Sequence, residues 1–185
     1  MKHISNYPFR GGSVLITGKG PTFRAYDLPA TSQIFAINQS AIPLIEKGIL
    51  PDLVVCNDIE PAREVERYAI KKEVSLRFAL PSFPHEELRP VTYYKNALSS
   101  DVYHFDLWTA PNRCFSDHSR FLGVCTSYGS ALLIADLLNI TTIVTLGIGG
   151  TGYAAPFGFR PGVNYDAQDS IEAPLRLAGV SITRL

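Results

Sequence analysis

Several short stretches of this sequence carry groups that could hold an anion. Gly18-Lys19-Gly20-Pro21-Thr22 follows the apolar run Val14, Leu15 and Ile16. Its glycines admit backbone angles closed to other residues and keep side chains out of a ligand's way. Lys19 would add a positive charge near a phosphate. Asn38 and Asn57 each close another apolar run, and Asp58 follows Asn57. Thr126 and Ser127 open an apolar helical stretch, where unpaired N–H groups and the helix dipole favour an anion. Gly147 ends a further apolar run. Together these groups suit a phosphate or a nucleoside held by backbone N–H groups, hydroxyls and amides. Tyr153, in the glycine-rich segment that follows, could stack on a base or equally pack in the core or an interface.

The familiar nucleotide signatures are absent. Loop 18–22 lacks the Gly-Lys-Ser/Thr of a Walker A loop and the third glycine of a dinucleotide fingerprint. Gly147 to Gly152 matches G-x-G-x-x-G in letters, but Pro156 and two more glycines follow, so it opens no helix. Ser127 is in no G-x-S-x-G elbow. For proton transfer the candidates are His118, next to Asp117, and the carboxylate of Asp58. His104 and Asp106 alternate on one strand face. A metal needs at least a third ligand, and none stands at a clear spacing, so no metal centre is expected. Cys56, Cys114 and Cys125 are odd in number and form no C-x-x-C, which fits a reducing compartment.

The elements that must position these groups are legible as alternating strands and helices. Strands are expected near 14–16, 33–38, 52–58, 74–80, 141–149 and 180–185, with 101–107 as an edge strand because its apolar and polar residues alternate. Helices are expected over 39–50, 60–73, 126–140 and 167–179. Thr126 or Ser127 would cap the third, and Pro174 would kink or delay the fourth. Residues 81–100 read as loop with short helical pieces. Short unbroken apolar strands between helices imply one α/β domain over 1–185, Rossmann-like, its mainly parallel sheet covered by helices on both faces. In such sheets ligands bind outside the carboxyl ends of the strands, which is where the stretches above fall.

Composition narrows the partners. Apolar residues make up 46% of the 185 and charged residues 18%, as in a globular protein. Seventeen basic and seventeen acidic side chains cancel. With no basic cluster denser than Lys71-Lys72, nucleic acid and membrane surfaces are not expected partners. No apolar run approaches membrane-spanning length, and no apolar signal core follows Met1 to Ser5. A cytoplasmic location is expected, with a homo-oligomer left open.

In order and spacing these motifs resemble the bacterial sialyltransferases that use CMP-sialic acid, with the related flagellin-glycosylation accessory proteins and archaeal hydroxymethylpterin pyrophosphokinases. The corresponding residues here are "GKGPT", "AINQ", "PDLVVCND" and "TSYGSALLIADLLNITTIVTLGIGG". The resemblance implies that Gly18, Gly20, Pro21 and Thr22 face a nucleotide. It implies that Asn38 and Asn57 bind nucleotide or sugar oxygens, that Thr126 and Ser127 hold a phosphate, and that the Tyr153 loop covers the site. The chain departs from that family at Lys19, where the family has Asn, and at Gly149, where it has Asp. The family's catalytic His follows that strand, yet no His follows His118 here. The expected function is sialyltransferase-like glycosyl transfer from a nucleotide-sugar donor such as a CMP-sugar. The alternatives are a non-catalytic nucleotide-binding protein and a pterin-type pyrophosphokinase, for which Asp58 is the one well-placed acid.

Overall fold

The computed structural model describes residues 2–9, 11–25, 28–31, 33–82, 98–105, 126–148 and 168–185. Eight parallel strands form one sheet: β1 (Lys2–His3), β2 (Ser13–Thr17), β3 (Gln33–Ile37), β4 (Leu53–Val55), β5 (Arg77–Pro81), β6 (Asp101–Phe105), β7 (Thr142–Leu146) and β8 (Ser181–Arg184). Their order across the sheet is β1-β6-β5-β4-β3-β2-β7-β8. The described helices are α1 (Ala41–Glu46), α2 (Ile59–Lys71), α3 (Ser127–Leu137) and α4 (Gln168–Leu177).

The strand order explains which helix covers which face. From β3 to β5 the chain advances one strand at a time, and right-handed crossovers place α1 and α2 on one face. After β6 it returns to β7 on the far side of β2 and advances the other way to β8. The same handedness then puts α3 and α4 on the opposite face. Two cores result. Ala36, Val54, Cys56, Phe78 and Leu80 pack against Leu44 of α1 and Ala62, Val65 and Ala69 of α2. Val14, Ile16, Phe35, Ile37, Leu53 and Val55 pack against Ala131 to Ala135 of α3 and Ile171 and Leu175 of α4. The sheet is thus buried on both sides, which is why its strands read as unbroken apolar runs.

Local chemistry sets the details. Asp52 Oδ2 accepts the N–H of Ile34 at 2.9 Å and so ties the approach to β4 onto β3. Glu66 of α2, buried although acidic, accepts the N–H groups of Ser99 and Ser100 at 2.7 and 2.8 Å just before β6. One expectation is corrected. β6 is not an edge: Lys2 and His3 pair with Tyr103 and His104 and cover it. Its alternation arises because Tyr103 and Phe105 enter the α3/α4 core while Val102 packs on the other. α4 runs over Gln168–Leu177 with Pro174 inside it. Among the described residues no helix is long and apolar enough to cross a membrane.

Candidate functional site

The sheet reverses its winding at β2, between β3 and β7, and open α/β sheets form their ligand crevice outside the carboxyl ends at such a point. Loop 18–22 leaves β2 there, beside the end of β7. Gly18 N donates to Leu146 O at 2.8 Å, and Gly20 N donates to Gly147 O at 2.6 Å. In return Gly147 N donates to Thr22 Oγ1 at 3.0 Å. A Cβ on Gly18 would lie 2.5 Å from Gly147 O, and one on Gly147 would lie 2.6 Å from Gly18 O. Gly147 also has φ +69°. These glycines therefore let two loop backbones touch, and the N–H groups of Gly18 and Gly20 are engaged within the protein. Pro21 is exposed on the same loop.

The polar side chains gather on the β3 and β4 side of this junction. Ser40 donates its hydroxyl to Thr17 O at 2.9 Å. Its oxygen lies 3.1 Å from Thr17 Oγ1. Since Ser40 has one proton, Thr17 supplies the second bond. This buried pair ties the ends of β2 and β3 together. Lys19 Nζ donates to Gln39 Oε1 at 3.0 Å, and Gln39 Nε2 donates to Glu64 Oε2 of α2 at 2.7 Å. Lys19 is thus drawn toward the exit of β3.

Asn38 begins a short 3-10 turn over Asn38–Ser40 and has φ +52°, a left-handed conformation in which few non-glycine residues occur. Its Nδ2 donates to Ser127 Oγ at 3.2 Å, at the first residue of α3. Its Oδ1 is buried and has no hydrogen-bond partner among the described residues. On the next strand, Asn57 Oδ1 accepts a 2.7 Å bond from Ser130 Oγ, one turn further along α3. Thr126 caps α3 by accepting the N–H of Gly129 at 3.0 Å. Asp58 precedes α2 without capping it through its side chain. Burial pushes the Cys56 thiol well above its usual range, against a smaller lowering by the backbone N–H of Asn38. The thiol is therefore neutral at the end of β4.

Of the residues expected at the site, Lys19, Asn38, Asn57, Thr126 and Ser127 are joined directly or through Gln39 and Ser130 to the ends of β2, β3, β4 and α3. Gly18, Gly20, Thr22 and Gly147 form the adjoining backbone junction. His118, Tyr153 and the 149–164 segment lie outside the described residues, as does Asp106. Thr17, Ser40, Ser130 and Glu64 were missed. Their serines, threonine and glutamate carry no motif, and only the helix period of Ser127 and Ser130 placed those two on one side of α3.

Among the described residues no three His, Cys, Asp or Glu side chains group as a metal site. No protein-family model matches the chain, and no curated protein matches it.

Proposed function

We propose that this chain binds a nucleotide or nucleotide-sugar at the carboxyl ends of β2, β3 and β4, in the manner of the sialyltransferase-like proteins it resembles. Asn38 carries the proposal. It holds a strained backbone conformation, it bonds the first residue of α3, and its buried carbonyl oxygen has no partner among the described residues. Strained residues and unsatisfied buried polar groups collect at functional sites. The Asn38 oxygen would accept from a donor on the ligand, and the start of α3 would face its phosphate. Lys19 supplies a cation on the adjoining loop. Transfer of the sugar would further need a base on the acceptor, for which Asp58 is a candidate carboxylate at this edge.

A second function, nucleotide binding without transfer, is favoured by one observation: no His follows His118. A pyrophosphokinase would instead show magnesium-dependent binding.

Calorimetry with CMP, CDP, CMP-sialic acid and UDP- and GDP-sugars tests the proposal. Ser127→Leu fills the start of α3, and Asn38→Ala removes the amide. The first should abolish binding, and the second should weaken it about tenfold, as expected for one hydrogen bond of about 1.4 kcal/mol. Far-UV circular dichroism should show both variants folded. Unchanged affinity in folded Ser127→Leu, or no nucleotide bound by the native chain, refutes it.

A further inference from the structure

The first turn of α3 is braced from both flanks of β2, the strand at which the sheet reverses its winding. On one flank, Ser127 accepts from Asn38 at the end of β3, and Ser130 donates to Asn57 at the end of β4. On the other stands a buried carboxylate. Glu172 of α4 is 0% exposed. Its Oε1 accepts the Tyr128 hydroxyl at 2.5 Å and Arg184 Nε at 2.9 Å. Its Oε2 accepts Arg176 Nη2 at 2.8 Å and Arg176 Nε at 3.3 Å. Arg184, the last residue of β8, also donates from Nη2 to Asp169 Oδ1 at 2.6 Å. In the strand order β3 and β4 lie on one side of β2, and β7 and β8 lie on the other.

The directions of these bonds fit a clamp. A helix turns about 100° per residue. Tyr128 therefore lies about 100° from Ser127 and about 160° from Ser130 around the axis, whereas the two serines are about 60° apart. Every residue of α3 from Tyr128 to Asp136 is buried. Burial on all sides gives the helix no single apolar stripe to orient it, so directional bonds must set its rotation. A buried carboxylate is a costly way to join two helices, since apolar groups of similar volume often hold them as well or better. What the carboxylate adds is direction: four donors saturate Glu172, and one of them is the hydroxyl of the residue next to Ser127.

We propose that Glu172 is a positioning residue for the start of α3, acting through Tyr128. By holding the Tyr128 hydroxyl it sets where Ser127 meets Asn38 and where the first N–H groups of the helix point. Being wholly buried, Glu172 acts only through its partners. The inference rests on the nucleotide reading above for its ligand, while the bracing is measurable without one.

Three variants of the full chain separate position from stability. Tyr128→Phe keeps the ring and removes the bond. Tyr128→Phe combined with Glu172→Met replaces both partners by apolar groups, which avoids leaving one of them buried and unpaired. Val65→Ala opens a cavity in the other core, on α2, and is the control for lost stability alone. Affinity for the nucleotide, by calorimetry, should fall about fivefold in Tyr128→Phe, the effect of one hydrogen bond. It should stay low in the double variant although the urea midpoint recovers, and should be native in Val65→Ala. The loss should vanish in an Asn38→Ala background, because both changes act on the same turn. Affinity that merely tracks stability across the three variants overturns the proposal. NMR of the ligand-free chain keeps this apart from the choice of ligand. Tyr128→Phe should shift the Asn38 side-chain NH₂ signals and speed exchange of the Gly129 N–H, which Thr126 Oγ1 accepts at 3.0 Å. Unchanged Asn38 and Gly129 signals refute the bracing whatever the ligand. If those signals move but the native chain binds no nucleotide, the nucleotide reading fails and the bracing stands.

Discussion

Replacing Gly147 by alanine tests whether the glycines at the β2 and β7 exits serve backbone apposition. Two costs combine. Gly147 has φ +69°, where an alanine is worse off by about 1–2 kcal/mol. Its new Cβ would also lie 2.6 Å from Gly18 O and 2.8 Å from the Cβ of Phe23. Neither is the far end of a flexible side chain, so the loops must part. Parting them weakens the bonds between Gly18 N and Leu146 O and between Gly20 N and Gly147 O, each worth about 1 kcal/mol net. Gly147→Ala should therefore lose about 3–4 kcal/mol. Gly18→Ala has no left-handed φ, and one of its clashes, with Ile148 Cδ1 at 2.6 Å, is with a side chain that can turn away. It should lose about 2 kcal/mol, nearly all from the contact with Gly147 O.

Both substitutions open the same junction, so the double variant should lose about 1–2 kcal/mol less than the sum of the singles. Gly147→Asn separates the two costs, because asparagine tolerates the left-handed region better than alanine. If φ dominates, it is milder than Gly147→Ala; if the clash dominates, it is no milder. Urea unfolding followed by far-UV circular dichroism measures all four variants. A Gly147→Ala variant within about 0.5 kcal/mol of the native protein, the range of an ordinary surface change, or strictly additive singles, would refute the apposition.

Further predictions concern buried polar groups. Ser130→Ala removes the 2.7 Å donor to Asn57 Oδ1 inside the protein and should cost about 1–3 kcal/mol in the same urea assay; a loss below about 0.5 kcal/mol would mean the bond contributes little. Alkaline stability should fall in steps. Burial first, then the bond to the Glu172 carboxylate, raises the Tyr128 phenol, and burial first, then Asp52, pushes Tyr7 up to about 12. Both stay neutral in the folded chain while the unfolded chain ionises above about pH 10, so their stabilisation is present below that pH and is lost as pH rises toward the folded values. Tyr128→Phe should flatten the decline above pH 10 by up to about 1.4 kcal/mol per pH unit. An unchanged slope would show that Tyr128 ionises as readily folded as unfolded.

How far the sequence spoke depends on how local each signal was. Val14, Leu15 and Ile16 read as a strand because both faces of a parallel sheet are buried, so the run itself is the signal. Thr126 was legible as a cap because capping is a local bond, here to Gly129 three residues on. Lys2 and His3 were not legible as a strand, since two residues carry no period. Without them Asp101–Phe105 looked like an edge, although a partner 101 residues away in sequence pairs with it.

The candidate site shows the same limit in its side chains. Strand ends place Asn38 and Asn57 at one edge of the sheet, and their types suggest hydrogen bonding. That Asn38 reaches Ser127, and Asn57 reaches Ser130, follows only from the seating of α3 over β3 and β4, across separations of 89 and 73 residues. The glycines show a subtler failure. Gly18 and Gly147 signal a close approach, but glycine does not reveal what approaches it. The structure shows that at both positions it is the other loop's backbone. A ligand in this crevice must then be bound chiefly by side chains and by the start of α3, with the glycine junction acting as a rigid rim. Substitutions at Gly18 and Gly147 should accordingly act on stability first, and those at Asn38 and Ser127 on affinity.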